Sequence, residues 1–356
     1  MARYKEKFVI DDNTPQKHRL RTFLLLLLCL ALIAVLYVLV SSVVMGQNVQ
    51  VLSQRVPLPS MHKTADGFTV LHISDIHGNE LGENMQKLRT ALSGKSYRLV
   101  CITGDLTGKN GDYSAFMDVL DAVGTKAPVV FIPGDEDPVP IVQSANATDA
   151  VLADYITAAQ AKGAVYLDRP YEIILSESAS VWLMPQDIVS LDLGSFRNSY
   201  VTWQNELNAG DIYQRDAAQS LRVCEYQLTR ADDIEALNKK IRETDVKIAL
   251  THSPLQPDTI RTLLNWDSNG SNYLKSIDLI LAGHYNGGQV RVPGLGAIYI
   301  PGKWWPAQDE VQGLNRINGI TQYISPGLGV SRAYFFPARI FNAPAVTILT
   351  LKQSME

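Results

Sequence analysis

The chain reads as an α/β protein behind one membrane-spanning helix, and three observations predict this. Five short apolar or β-branched runs have the length and composition of buried strands: Phe68–Ile73, Leu99–Thr103, Val129–Ile132, Val246–Leu250 and Ile277–Leu281. Stretches with helical spacing lie among them, Asn84–Leu92, Ser114–Val123 and Ala150–Ala161, and such alternation predicts helices packed on sheets rather than an all-β sandwich. Ahead of all of these, Phe23–Met45 carries no charge and is long enough to cross a bilayer as a helix.

The charges around that apolar run give it a direction. Arg3, Lys5, Lys7, Lys17, Arg19 and Arg21 precede it, whereas Arg55 and Lys63 are the first positive residues after it. The positive-inside rule makes residues 1–22 a cytoplasmic tail and 23–45 a signal-anchor, with the rest outside the cytoplasm. A cleaved signal peptide fits less well, because the run exceeds a usual h-region and no small-x-small site follows. Residues 46–66, with Gln, Ser and Pro, read as a stalk, and 67–354 as one domain. Within it, about 191–241 is expected to be helical, with a helix starting at Ala231-Asp232-Asp233 before Ile234. Gln289–Leu351, rich in Gly, Pro and Tyr, predicts short strands and tight turns.

Composition excludes some functions. The 356 residues are 46% hydrophobic and 19% charged with a net charge of −4, and no long Lys/Arg run suggests a nucleic-acid groove. Three cysteines, Cys29, Cys101 and Cys224, make no disulfide framework. Asn146-Ala147-Thr148 and Asn269-Gly270-Ser271 match the glycosylation pattern, which matters only in a eukaryotic host.

Each strand run ends in metal-ligand chemistry. In order, the ends are Asp75-Ile76-His77, Gly104-Asp105, Gly134-Asp135-Glu136-Asp137, Thr251-His252-Ser253 and Gly283-His284-Tyr285-Asn286. Carboxylates and imidazoles at successive strand ends converge on one sheet edge, where α/β folds place ligands, and they are costly to bury unless paired or metal-bound. An Asp-x-His pair points two ligands to one side of a strand end. Asp105 at the next end is then placed to bridge two ions about 3.5–4 Å apart, with His252 and His284 on the second. Mixed carboxylate and imidazole ligands suit Mn²⁺, Fe or Zn²⁺ better than Ca²⁺.

The order of these motifs, from Gly67 to Leu351, resembles the calcineurin-like metallophosphoesterase superfamily. Gly287-Gly288-Gln289-Val290 and Ser325-Pro326-Gly327-Leu328-Gly329 resemble its membrane-associated bacterial phosphodiesterases. The resemblance implies a four-layer α/β/β/α sandwich and two divalent ions at the mouth between its sheets. It also implies attack on phosphorus by a metal-bridging hydroxide. It assigns Asp75 and His77 to the first ion, Asp105 to both, and His252, His284 and Asp135 to the second.

Two positions depart from the family pattern. Asp135-Glu136 stands where Asn-His is usual, and Asn286 replaces the second His of Gly-His-x-His. Asp135 adds negative charge, while the neutral amide of Asn286 favours Mn²⁺ or Mg²⁺, so Mn²⁺ is the expected ion with Fe, Zn²⁺ and Mg²⁺ as alternatives. Glu136 takes the place of a histidine that stabilises charge or protonates the leaving oxygen. It joins Asp105 as a candidate catalytic residue, yet donates a proton only if its pKa is raised.

These readings combine into a membrane-anchored, extracytoplasmic phosphodiesterase or phosphomonoesterase of a bacterial cell membrane. Its substrate is a phosphate ester, a lipid-linked one being compatible with the tether. A catalytically weak binding or scaffold protein is the competing reading, because of Asp135, Glu136 and Asn286; a single-metal hydrolase of another bond is a third. His72 is expected to pack in its strand, Asp112, Asp118 and Asp121 to form a solvated face, and Asp187 to sit in a turn. Asp137 either orients a ligand or caps a turn. Trp304 and Trp305 either pack or form an aromatic lip touching membrane or substrate.

Overall fold

The computed structural model describes residues 14–45, 48–59, 61–142, 151–189, 191–210, 217–265, 273–300, 302–331 and 338–353. Both Asn-x-Ser/Thr patterns lie outside these residues. Helix α1 (Thr14–Met45) comes first and contains an apolar span, Arg19–Ser42, long enough to cross a membrane. After it come strand β1 (Gln50–Leu58), β2 (Thr69–Ser74), α2 (Gln86–Leu92), β3 (Leu99–Thr103), α3 (Ser114–Val123), β4 (Val129–Ile132), α4 (Asp154–Ala161) and β5 (Val165–Tyr166). The second half adds β6 (Tyr171–Ser176), β7 (Ala179–Pro185), α5 (Leu193–Ala209), α6 (Ala217–Asn238), β8 (Val246–Leu250), α7 (Pro257–Asn265) and β9 (Leu279–Ala282). Six strands finish it: β10 (Val290–Val292), β11 (Gly296–Ile300), β12 (Lys303–Trp304), β13 (Gly313–Ile317), β14 (Ile320–Ile324) and β15 (Ala345–Gln353).

Two six-stranded sheets organise these elements, in the orders β1-β15-β2-β3-β4-β5 and β13-β14-β9-β8-β7-β6. The central strands are buried almost throughout on both faces, which explains their predominantly apolar runs. In the first sheet Val70, Leu99, Cys101, Val130 and Ile132 face the second sheet, where Val181, Leu183, Ile248, Leu250 and Leu281 meet them. The alternate residues Leu71, Ile73, Val100, Ile102 and Phe131 pack outward on Leu88, Phe116, Val119 and Ile156 of α2, α3 and α4. On the far side Trp182, Met184, Ala249 and Ile280 pack on Ile234 of α6 and Ile260 of α7. Four layers result, α/β/β/α, as the resemblance implied. Each fully buried aliphatic side chain in them contributes about 1.5–3 kcal/mol.

Several sequence expectations are corrected. The expected stalk of residues 46–66 is in large part a strand of the domain, since β1 pairs in parallel with β15 from Gln50↔Ala345 to Leu58↔Gln353. No helix starts at Ala231-Asp232-Asp233; these residues continue α6, whose buried stripe of Val223, Cys224, Ala231 and Ile234 runs through them. Asn84 and Met85 have left-handed backbones (φ 49° and 56°), so α2 begins at Gln86 rather than Asn84. Cys101 and Cys224 are buried and free. Asp121 pairs with Lys162 at 2.5 Å, and Asp187, in the turn after β7, pairs with Arg230. His72 is buried; its Nε2 lies 2.9 Å from Thr103 Oγ1, and its ring meets Tyr323 edge-on between the sheets.

Candidate metal centre

The ends of β2, β3 and β4 in one sheet and of β8 and β9 in the other open on the same edge, and the loops leaving them carry every candidate metal ligand. Asp75, His77, Asp105, His284 and Asn286 all have left-handed backbones, with φ between 49° and 75°. Such conformations cost of order 1–3 kcal/mol each in non-glycine residues and persist where surrounding structure enforces them. Gly104, before Asp105, is itself left-handed (φ 75°) and lies so close to the His252 ring and Gly134 that a Cβ would collide with both.

The ligand atoms form two groups that share one carboxylate. Asp75, His77 and Asp105 bring one ligand atom each within 4.8 Å of one another, and so do Asp105, His252 and His284. Asp105 Oδ2 lies 3.5 Å from His77 Nε2 and 3.1 Å from His252 Nε2, while its Oδ1 accepts the Glu136 N–H at 2.9 Å. Asp75 accepts from Ser74 Oγ (2.5 Å) and from the His284 N–H (2.7 Å), tying the first sheet to the β9 loop. His284 Nδ1 is 3.2 Å from His252 Nε2 and 3.6 Å from Asp135 Oδ2. Asp135 stands at the rim, two-thirds exposed, 4.0 Å from His252 Nε2, and accepts from Ser253 Oγ.

Both buried histidines have one ring nitrogen occupied from behind. His252 Nδ1 pairs with the Thr103 carbonyl (3.2 Å) and His77 Nδ1 with Glu136 Oε2 (3.0 Å), the outer contacts that fix a ligating imidazole. Ser331 Oγ donates to the other Glu136 oxygen. Burial would raise the Glu136 pKa, but the hydrogen bonds from His77 and Ser331 prevail and lower it. The proton-donor role expected of Glu136 therefore meets a carboxylate engaged on both oxygens and held in its charged form.

The electrostatics ask for a cation. Burial would lower His252, yet the hydrogen bond and charge of Asp105, with the charge of Asp75, push it up to about 9. His77 is raised against burial by Glu136, Asp75 and Asp105. Asp75 itself is pushed up, chiefly by burial. These carboxylates draw positive charge onto neighbouring imidazoles, a demand that a divalent ion meets directly. Asn286 Oδ1 is buried with no hydrogen-bond partner among the described residues, and the other amide atom lies 3.5 Å from His77 Nε2. An orphaned acceptor beside a ligating imidazole is the donor a cation would take. The two candidate groups that share Asp105, with Asn286 beside the first and Asp135 beside the second, have the donor chemistry that would suit divalent ions.

Supporting residues that sequence reasoning missed lie in the last loop. Besides Ser331, Asn342 donates through Nδ2 to the carbonyls of Asn286 (2.6 Å) and Gly288 (2.9 Å). Arg339 clamps the carbonyls of Gly329 and Pro326. The Ser325–Gly329 motif was the one signal pointing to this loop. Asp137 accepts from the backbone N–H groups of Leu106, Thr107 and Gly134, so it joins the second and third ligand loops rather than contacting a ligand side chain. Beside these loops His77, Glu136, Lys109 and Pro138 line an open cleft of about 750 Å³.

Comparison with known proteins agrees with this geometry. The calcineurin-like phosphoesterase family matches residues 68–286. No curated protein matches the chain. Among solved structures, a phosphopantetheinyl hydrolase from Mycobacterium tuberculosis aligns at 15% identity and a TM-score of 0.36, covering 78% of this chain and 96% of that one. The likeness to that structure is too distant to inform the site. The family match spans more than half of the chain, from the first residues of β2 to Asn286. The chain therefore belongs to the calcineurin-like phosphoesterase family of metal-dependent phosphoester hydrolases.

Proposed function

We propose that this protein is a membrane-anchored phosphoesterase that cleaves phosphodiesters or phosphomonoesters outside the cytoplasm, with α1 as its anchor. One observation carries the hydrolytic part: two ligand groups share Asp105. When bound, the ions supply Lewis acidity toward phosphoryl oxygens and lower the pKa of water. The protein's own residues supply order. Asp105 sits between the two groups, held in place by the Glu136 N–H, and its pKa is lowered against burial by His252 and His77. Glu136 positions His77, Thr103 positions His252, and Asn342 fixes the strained loop carrying Asn286. Asp135 takes the place of a neutral amide at the exposed rim and adds a negative charge to the second group. The anchoring part is supported by the apolar span Arg19–Ser42 and the basic residues before it.

Full-length protein in detergent, loaded separately with Mn²⁺, Mg²⁺, Zn²⁺ or Fe²⁺, is assayed on bis-p-nitrophenyl phosphate and p-nitrophenyl phosphate beside Asp105→Ala. Metal-dependent turnover that disappears in the variant, with Mn²⁺ the best ion, is expected. Absence of turnover with every ion, together with one or no bound ion per chain, would favour the scaffold reading. Protease protection of the C-terminal domain in sealed inside-out vesicles tests its location.

A further inference from the structure

The anchor and the metal centre lie on the same side of the molecule. Helix α1 ends at Met45 and β1 begins at Gln50, so backbone steps of at most about 3.6 Å each limit the separation to about 18 Å. Gln50 pairs with Ala345, and the Ala345 N–H donates to Gly327 O, in the loop that closes over Asp75. Because β15 runs antiparallel to β2 (Thr347↔His72), the start of β1 is level with the end of β2. Two strand spacings, about 10 Å, separate them. The chain therefore enters the domain at the metal-bearing edge, on a tether too short to carry it elsewhere.

Contacts on both flanks of the β9 loop agree. On one flank, Tyr37 in the apolar span of α1 meets Phe341, with ring centroids 5.8 Å apart. The next residue, Asn342, holds the carbonyls of Asn286 and Gly288. On the other flank, the small sheet β10-β11-β12 packs on the same loop through Ala297, Ile300 and Val311 against Tyr285. That sheet turns large apolar side chains outward: Trp304 is 63% exposed, Trp305 69% and Leu295 65%. The Tyr299 ring lies tilted against that of Trp304, with centroids 4.7 Å apart. Adjacent exposed indoles, part apolar and part hydrogen-bonding, favour the lipid headgroup layer.

We infer that Trp304, Trp305 and Leu295 rest in the bilayer surface beside the anchor. The metal centre then faces that surface and takes phosphoesters presented at headgroup level. This rests on the reading of α1 as a membrane span and of the centre as hydrolytic, and it adds the substrate class: a phosphoester held in the membrane, not one diffusing in water.

The test compares full-length wild type with Trp304→Ser/Trp305→Ser, both reconstituted in phosphatidylcholine–phosphatidylglycerol vesicles. Both side chains are exposed, so their removal leaves the packed layers intact. Vesicles with brominated acyl chains are expected to quench wild-type tryptophan emission, and that quenched component is absent from the double variant. On phosphatidyl-p-nitrophenol in the same vesicles, turnover is expected to fall by at least about tenfold in the variant, equivalent to about 1.4 kcal/mol. Turnover of bis-p-nitrophenyl phosphate is expected to be equal in the two proteins. Unquenched wild-type emission, or equal turnover of the membrane-held ester by both proteins, would overturn the inference. If neither protein cleaves any ester and each binds one ion or none, the hydrolase reading falls, while quenching still decides whether the tryptophans meet the bilayer.

Discussion

Glu136 stands behind His77: one carboxylate oxygen lies 3.0 Å from Nδ1, so Nε2 is left facing Asp105 at 3.5 Å. His252 shows the same division, with the Thr103 carbonyl behind and Asp105 in front. A carboxylate in this place raises the basicity of the imidazole and fixes its tautomer. Glu136→Gln is therefore expected to weaken ion binding by about 10–100-fold while leaving kcat at saturating ion close to wild type. Metal titrations followed by activity separate the two effects. A kcat loss that excess ion does not restore would return Glu136 to the chemical step.

Asn286 offers a neutral oxygen where the family pattern has an imidazole. Asn286→His is expected to shift ion preference from Mn²⁺ toward Zn²⁺ and Fe²⁺, since imidazole suits those ions better than an amide does. The check is competition between ions, read by elemental analysis of protein equilibrated with equal concentrations of each. Unchanged ratios would mean that Asn286 does not reach the ions.

Gly104 holds the crossing of three ligand loops. Its φ of 75° disfavours any Cβ, and the methyl group of Gly104→Ala would meet the His252 ring and Gly134. Left-handed strain and the clash together are expected to cost about 3 kcal/mol or more. Urea denaturation measures it. Gly67, which is also left-handed but has open space around it, provides the control, because Gly67→Ala carries the strain alone.

His72 makes stability depend on pH through burial. Burial lowers its pKa to about 3 from an ordinary 6.5. The folded chain keeps the ring neutral, whereas the unfolded chain protonates it below pH 6.5. Its contribution is thus complete above pH 6.5 and is lost as pH falls from there toward 3, by up to about 1.4 kcal/mol per unit. His72→Phe is expected to flatten that part of a stability–pH curve between pH 6.5 and 4. Parallel curves for the two proteins would show that His72 is not the group responsible.

The strands that lead to the candidate ligands were legible because nearly all of their residues are buried, so Leu99–Thr103, Val129–Ile132 and Val246–Leu250 are apolar or β-branched apart from Lys247, and are followed closely by Gly-Asp or Thr-His. The pairing of Asp75 with His77 and the sharing of Asp105 follow from the same strand ends. The first strand was not legible. Gln50–Leu58 lies at a sheet edge with mostly exposed or half-buried residues, so it reads as polar linker, and its partner comes from the other end of the chain. Nor were Ser331 and Asn342, whose small side chains act through space from a Gly- and Pro-rich loop. The contacts of Glu136 with His77 and Ser331 were not legible either, because position in a motif says nothing about which atom the carboxylate touches.

The pairing of β1 with β15 joins the first strand after α1 to the last described strand. During synthesis β1 emerges before the rest of the domain and must wait, unpaired, until almost the whole domain has followed it. Closing so large a loop costs entropy that only the finished sheet repays, which makes this a slow, late step of folding. Until then the chain exposes an edge with nothing to pair it, and β15 is the piece that seals it. Deleting β15 therefore removes more than one strand of a sheet: it leaves β1 without its partner in a domain that cannot finish folding.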